Sequence, residues 1–174
     1  MSVNNEKNNG TPQVLVLGIG NVLMGDEGVG VHVARRLEGI ELPENVRCLD
    51  GGTGSFQLLE PMQQARRVVL VDATIDDNPP GTLRRLTPRF SSEYPATLTA
   101  HDIGLKDLLD AAYLMGEHLD VTLFAISIAE PQGVGMELSV TVAERLDEIT
   151  ETIRKDIIAL AGGLSPESLK SCHA

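Results

Sequence analysis

Short, wholly apolar runs alternate along this chain with longer stretches in which apolar residues recur every three or four positions. Val14-Leu15-Val16-Leu17, Val68-Val69-Leu70-Val71 and the eight residues from Val121 to Ile128 are of the first kind. A strand apolar on both faces belongs inside a sheet that helices cover on both sides. Weaker strand patterns occupy Val46–Leu49 and Thr82–Leu86. Between them lie four helical patterns. Val29, Val33, Ala34 and Leu37 follow Asp26; Phe56, Leu58, Leu59 and Met62 follow a candidate cap at Ser55. Leu105, Leu108, Leu109 and Ala112 follow Asp102, and Leu146, Ile149, Ile153, Ile157 and Leu160 follow Ser139. Gly162-Gly163 closes the last helix, as glycine does past helix C-termini. Strands alternating with helices predict an α/β fold, a three-layer domain with a largely parallel sheet between helices. The predicted domain spans residues 13–163, with a polar flexible tail over 1–12 and another over 164–174.

Composition narrows the functional classes. A length of 174 residues suits one core. The formal net charge of −11 argues against a nucleic-acid binder, which needs clustered Lys and Arg, and against docking on anionic membrane. Two cysteines, Cys48 and Cys172, make no disulfide framework and fit a reducing compartment. There is no basic segment followed by an apolar one at the start, and no run approaches the ~18 apolar residues of a membrane span. The expectation is a soluble cytoplasmic protein, and with no sign of an obligate dimer, a monomer.

In open α/β sheets, ligands bind beyond the carboxyl ends of the strands, so the polar residues at those ends carry the chemistry. The first strand runs into a loop from Gly18 to Gly30 that is rich in glycine. It is neither a dinucleotide fingerprint, since Leu23 stands where glycine is needed, nor a P-loop, which requires Gly-Lys-Ser/Thr. Its Asp26-Glu27 pair would also repel phosphate. Asp26 reads as the N-cap of the first helix, and Glu27 as a first-turn acid or a group turned into the crevice. Asp72 closes the apolar run of a central strand, and Ala73-Thr74 after it is a poor turn sequence. Asp50 ends the second strand before Gly51-Gly52-Thr53-Gly54, a tight turn on its plainest reading. His101 falls just before the helix that opens at Asp102, in a loop that returns to the same edge of the sheet, and reads either as a surface or hydrogen-bonded structural histidine or as a ligand. His32 reads as part of a solvated helix face, and His118 and His173 carry no assigned chemistry. Glu27, Asp72 and His101 thus make a cluster of two carboxylates and an imidazole, a donor set that suits Zn, Ni, Mn or Fe. No His-Glu-x-x-His, cysteine pair or Gly-x-Ser-x-Gly elbow identifies an enzyme class by itself.

Three segments give the chain a family resemblance: Gly18-Ile19-Gly20-Asn21 with Gly25-Asp26-Glu27-Gly28-Val29-Gly30, then Asp50-Gly51-Gly52-Thr53, then His101 with Leu105 and Leu108. In these it resembles the hydrogenase maturation endopeptidases, over roughly residues 14–160. The resemblance implies a twisted α/β sheet and a nickel-engaging set of Glu27, Asp72 and His101. It also implies a partner, the nickel–iron hydrogenase large-subunit precursor, whose C-terminal extension is cut off after nickel insertion. The nickel then belongs largely to the substrate, with another divalent metal as the alternative. Glu27 or Asp72 acts as general base toward water, or a metal polarises the scissile carbonyl; an aspartic-type and a metal-dependent mechanism both stay open. Two other readings compete. One is a non-cleaving metal-sensing or chaperone protein that binds the loaded precursor. The other is a phosphoacceptor switch at Asp72, which would need a lysine at a later strand end where none is placed.

Overall fold

The computed structural model describes residues 13–53, 56–88, 110, 120–129 and 133–163. The predicted tails, Ser55, the whole helix expected after Asp102 except residue 110, and His101 lie outside the described residues.

The apolar runs become β1 (Val14–Ile19), β3 (Arg67–Ile75) and β5 (Asp120–Ile128), and the weaker patterns become β2 (Val46–Gly52) and β4 (Leu83–Leu86). They form one five-stranded sheet in the order β2-β1-β3-β5-β4. Every pair is parallel except β4 on β5, so β4 is an antiparallel edge. Helices α1 (Val29–Glu38), α2 (Leu59–Gln64) and α3 (Val140–Ala161) complete the described elements, with 3-10 turns at Gly25–Gly28 and Phe56–Leu58.

Side chains alternate across a strand, and that alternation divides the core in two. Val14 and Val16 of β1, Val69, Val71 and Ala73 of β3, and Phe124, Ile126 and Ile128 of β5 meet α1 and α3 on one face. Leu15, Leu17 and Ile19, with Val68 and Leu70 and with Val121 and Leu123, meet Leu58 and Met62 on the other. Both faces of the central strands are therefore dry, which is why their sequences carry no polar alternation. The three-layer α/β prediction holds.

Helix ends follow their expected chemistry in two cases of three. Ser139 is the N-cap of α3, its Oγ accepting from Val142 N at 3.4 Å, and Gly163 past the helix takes φ 95°. At α1 the expectation fails. Its N-cap is Gly28, with no side-chain cap, because Asp26 and Glu27 lie in the preceding 3-10 turn and Asp26 is engaged elsewhere. Among the described residues no helix is long and apolar enough to cross a membrane.

Candidate active site

The strand order reverses direction at β1: the chain passes from β1 to β2 on one side and then to β3 on the other. Such a switch point opens a crevice at the carboxyl ends of the two diverging strands. Two groups of residues meet there.

The first is the loop that leaves β1. It is pressed against the sheet by glycines at positions where no side chain fits. A Cβ on Gly18 would lie 2.2 Å from Gly30 O, and one on Gly30 would lie 2.1 Å from Val71 O and 2.3 Å from Ile19 O. The start of α1 therefore rides directly on the backbones of β1 and β3. Within the loop, Gly20 takes φ 140° against the carbonyl of Glu27, and Gly20 N donates to Gly52 O at 2.7 Å. Gly28 packs on Val22 Cα. This folding back buries Glu27, only 4% exposed, in a 3-10 turn that packs against β3.

The second is Asp72. The sequence places it at the end of a strand, but β3 continues to Ile75, because β5 keeps pairing with it as far as Ile128. What ends at this point is the pairing with β1, whose last partner on β3 is Val71, opposite Gly18. Asp72 is thus the first residue of β3 past its β1 partner. It is fully buried, shares the parity of Val68 and Leu70, and its Oδ1 accepts from the Ala73 N–H at 2.7 Å. A carboxylate that takes up a backbone amide in this way is held in one orientation.

Glu27 and Asp72 are thus both buried and come from separate elements, the 3-10 turn after β1 and the strand β3 against which that turn packs. The third predicted residue, His101, lies outside the described residues. Among the described residues no group of three or more His, Cys, Asp or Glu side chains is gathered for a metal. Two buried carboxylates are oxygen donors of the right charge for a divalent cation, and their chemistry fits that role.

Other candidates resolve into structural duties. Asp50 Oδ1 caps Gly52 N at 2.9 Å, while Oδ2 receives Arg35 Nη2 at 2.9 Å and Nε at 3.2 Å. His32 is half-buried rather than solvated, and burial, then Arg35 and Arg36, lower its pKa. Cys48 is half-buried, and burial, with Glu38 nearby, pushes its thiol up to about 12.

One part of the site was not legible in the sequence. The stretch after β5 returns to clamp the Glu27 loop from outside. Gly25 N donates to Gly135 O at 2.7 Å and Gly135 N to Leu23 O at 2.9 Å. Asp26 Oδ1 accepts from Ser139 N at 2.7 Å. Apart from the helix start at Ser139, no local signal marks residues 133–139 as partners of a loop more than 100 positions away.

Comparison with known proteins converges on one family. The model of the hydrogenase maturation protease family matches residues 31–156. The hydrogenase expression/formation protein HupD of Rhodobacter capsulatus is 39% identical over 150 residues, covering 82% of this chain and 70% of the relative. The hydrogenase 2 maturation protease of Escherichia coli is 39% identical over 111 residues, covering 60% of this chain and 66% of the relative. Among solved structures, the hydrogenase maturating endopeptidase HybD from E. coli superposes with a TM-score of 0.76 at 30% identity, covering 88% of this chain and 95% of that one. The NiFe hydrogenase maturation protease HybD from Thermococcus kodakarensis gives 0.70 at 27% identity, covering 83% and 99%.

Proposed function

The chain belongs to the hydrogenase maturation protease family, and from that premise we propose that it removes the C-terminal extension of a nickel–iron hydrogenase large-subunit precursor once nickel has been inserted. What supports this reading is that two carboxylates are buried, Glu27 in the 3-10 turn that follows β1 and Asp72 in β3, the strand next to β1.

In this proposal the nickel arrives as part of the substrate. Glu27 and Asp72, with His101 as the third donor, bind the cation that a loaded precursor presents and an unloaded one lacks. Specificity is then the difference in affinity between the two forms. Burial strengthens this discrimination, because a charge–charge interaction in a water-poor crevice is screened far less than one at the surface. Cutting the peptide bond requires a water to lose a proton and the departing amide nitrogen to gain one. One of the two carboxylates accepts the first proton and delivers the second, the general-base and general-acid halves of one cycle. The free, protonated thiol of Cys48 supports work in the reducing cytoplasm and leaves the carboxylates as the better candidates for the chemistry.

The test is direct. Nickel-loaded and nickel-free precursors are incubated with substoichiometric wild-type protein and with Glu27→Gln, Asp72→Asn and His101→Gln variants, and the large subunit is weighed by mass spectrometry. Wild type should shorten only the loaded precursor, over many turnovers. Loss of a general base should slow cleavage by about 100-fold or more. Wild-type rates in all three variants would remove the site assignment. Equal cutting of nickel-free precursor would remove the nickel-reading role. Stable binding without any shortening would favour a non-cleaving chaperone.

A further inference from the structure

Asp26 and Glu27 are neighbours in a four-residue 3-10 turn, and both are almost wholly buried, at 2% and 4% exposure. Their surroundings differ. Asp26 reaches across 113 positions of sequence to accept the N–H of Ser139, the residue that caps the 22-residue helix α3. Ser139 has its own reason to be where it is, since Oγ holds Val142 N and Val142 lies in the core. The carboxylate is therefore fastened to a rigid element. A charged acceptor makes a stronger hydrogen bond than a neutral one, and an anion at a helix N-terminus is further favoured by the helix dipole. The two backbone bonds at Gly135 hold the same loop one turn earlier. Together they restrain the loop from outside the crevice, while Gly20 and Gly28 restrain it from within.

We propose that Asp26 is a positioning residue: by gripping the Ser139 amide it fixes the 3-10 turn and with it the position of the adjacent Glu27. Asp26 does not itself touch substrate. The proposal rests on the reading of Glu27 as a residue of a hydrogenase maturation protease. A displacement of about 1 Å in a reacting group is enough to cost 100-fold in rate, so the grip on Ser139 is part of catalysis even though it lies on the far side of the loop.

Four variants of the full-length protein test this, each assayed on nickel-loaded precursor for kcat and KM separately and checked by thermal melting. Asp26→Ala removes the acceptor and should lower kcat by roughly 10- to 100-fold with little change in KM. Asp26→Asn keeps an oxygen that can accept from Ser139 and should restore kcat to within about threefold of wild type, as a hydrogen-bonding rather than a charge requirement predicts. Ser139→Ala keeps the N–H and loses only the hydroxyl cap, so the melting temperature falls while kcat holds. Ser139→Pro removes the N–H itself at a residue whose φ of −56° proline accepts, and should reproduce the kcat defect of Asp26→Ala. A double Asp26→Ala, Ser139→Pro variant should be no slower than either alone.

Wild-type kcat in a folded Asp26→Ala or Ser139→Pro variant overturns the inference and leaves the protease reading intact. An Asp26→Asn variant as slow as Asp26→Ala also overturns it, because an acceptor for the Ser139 N–H would then be present without restoring the rate. Should Asp26→Ala fail to fold, Asp26→Asn and Ser139→Pro still decide the matter. Failure of the wild type to cleave any loaded precursor overturns the protease reading, and this inference with it.

Discussion

Two adjacent carboxylates, Asp26 and Glu27, have different fates because each is bound by what lies opposite it in space rather than by its own chemistry. As a string of letters, Asp-Glu before an apolar helix is a capping signal. In the fold, the acid expected at the α1 cap serves the start of α3 instead, and α1 begins at Gly28 without a side-chain cap. Cys48 shows the same dependence on surroundings. Its thiol, ordinarily near 9.0, is pushed up to about 12 by burial first and by Glu38 second. Each unit is a tenfold change in thiolate, and although a thiolate of higher pKa is more nucleophilic, at pH 8 the folded protein should react with a disulfide reagent well over tenfold more slowly than the chain in urea. Timing the thiol reaction in a Cys172→Ser background measures this. Folded and unfolded rates within tenfold of each other would mean that the Cys48 thiol is not sheltered.

Among the elements, the contact between α1 and the sheet matters most for the site. Gly18 and Gly30 let the helix start lie on the carbonyls of Ile19 and Val71, the residues just before the Glu27 loop and just before Asp72. The glycines are needed here for close approach, not for unusual dihedrals, since neither has a positive φ. In Gly30→Ala the new methyl meets backbone on both sides and has no flexible side chain to displace. Overpacking of this kind should destabilise the protein by about 3 kcal/mol. Urea denaturation of the purified variant would show it, and a loss under about 1 kcal/mol would mean that α1 can ride up off the strands at little cost. The long helix α3 tells a simpler story. Its buried Leu146, Ile149, Ile153, Ile157 and Leu160 are the positions its periodicity predicts, and Ser139 caps it as expected.

Over the whole molecule, acidity is distributed according to what each carboxylate touches. Glu144, Asp147 and Glu148 stand exposed along α3, with Asp147 paired to Arg36 at 2.9 Å. Exposed pairs of this sort contribute little to stability. Asp156 is different. It is 4% exposed and meets Arg85 of the edge strand β4, itself 12% exposed, at 3.2 Å. This pair ties the antiparallel edge of the sheet to the helix that packs across its face. Removing Arg85 takes away one of the groups that hold the Asp156 charge in the interior, so Arg85→Met should destabilise the protein by at most about 3–5 kcal/mol. Adding Asp156→Leu should recover much of that loss, because an apolar pair avoids the desolvation penalty altogether. Chemical denaturation of the single and double variants decides; a single variant as stable as wild type would show that Arg85 is incidental to the edge. Arg67 works in the same way at the opposite ends of the central strands, binding Asp120 at 3.0 Å and the Leu160 carbonyl at 2.7 Å.

Much of this protein is determined by the sequence itself. Runs such as Val14–Leu17 and Val68–Val71 can be buried only if helices cover both faces of the sheet, so the three-layer order follows from the pattern alone. Helical spacing after Ser139 defines α3 from cap to terminal glycine because caps and periodicity are local. The carboxylates Glu27 and Asp72 are legible as candidates for the same reason, since each follows an apolar strand. Only the tertiary structure decided that Asp72 sits past the last pairing of β1 with β3 rather than past the end of β3, because strand length depends on the neighbour that continues to pair. Only it decided that Asp26 belongs to Ser139 and that residues 133–139 brace the site loop. Hydrogen bonds between distant segments leave no periodic trace in a sequence; they exist because packing the two faces of the sheet brings those segments within about 3 Å.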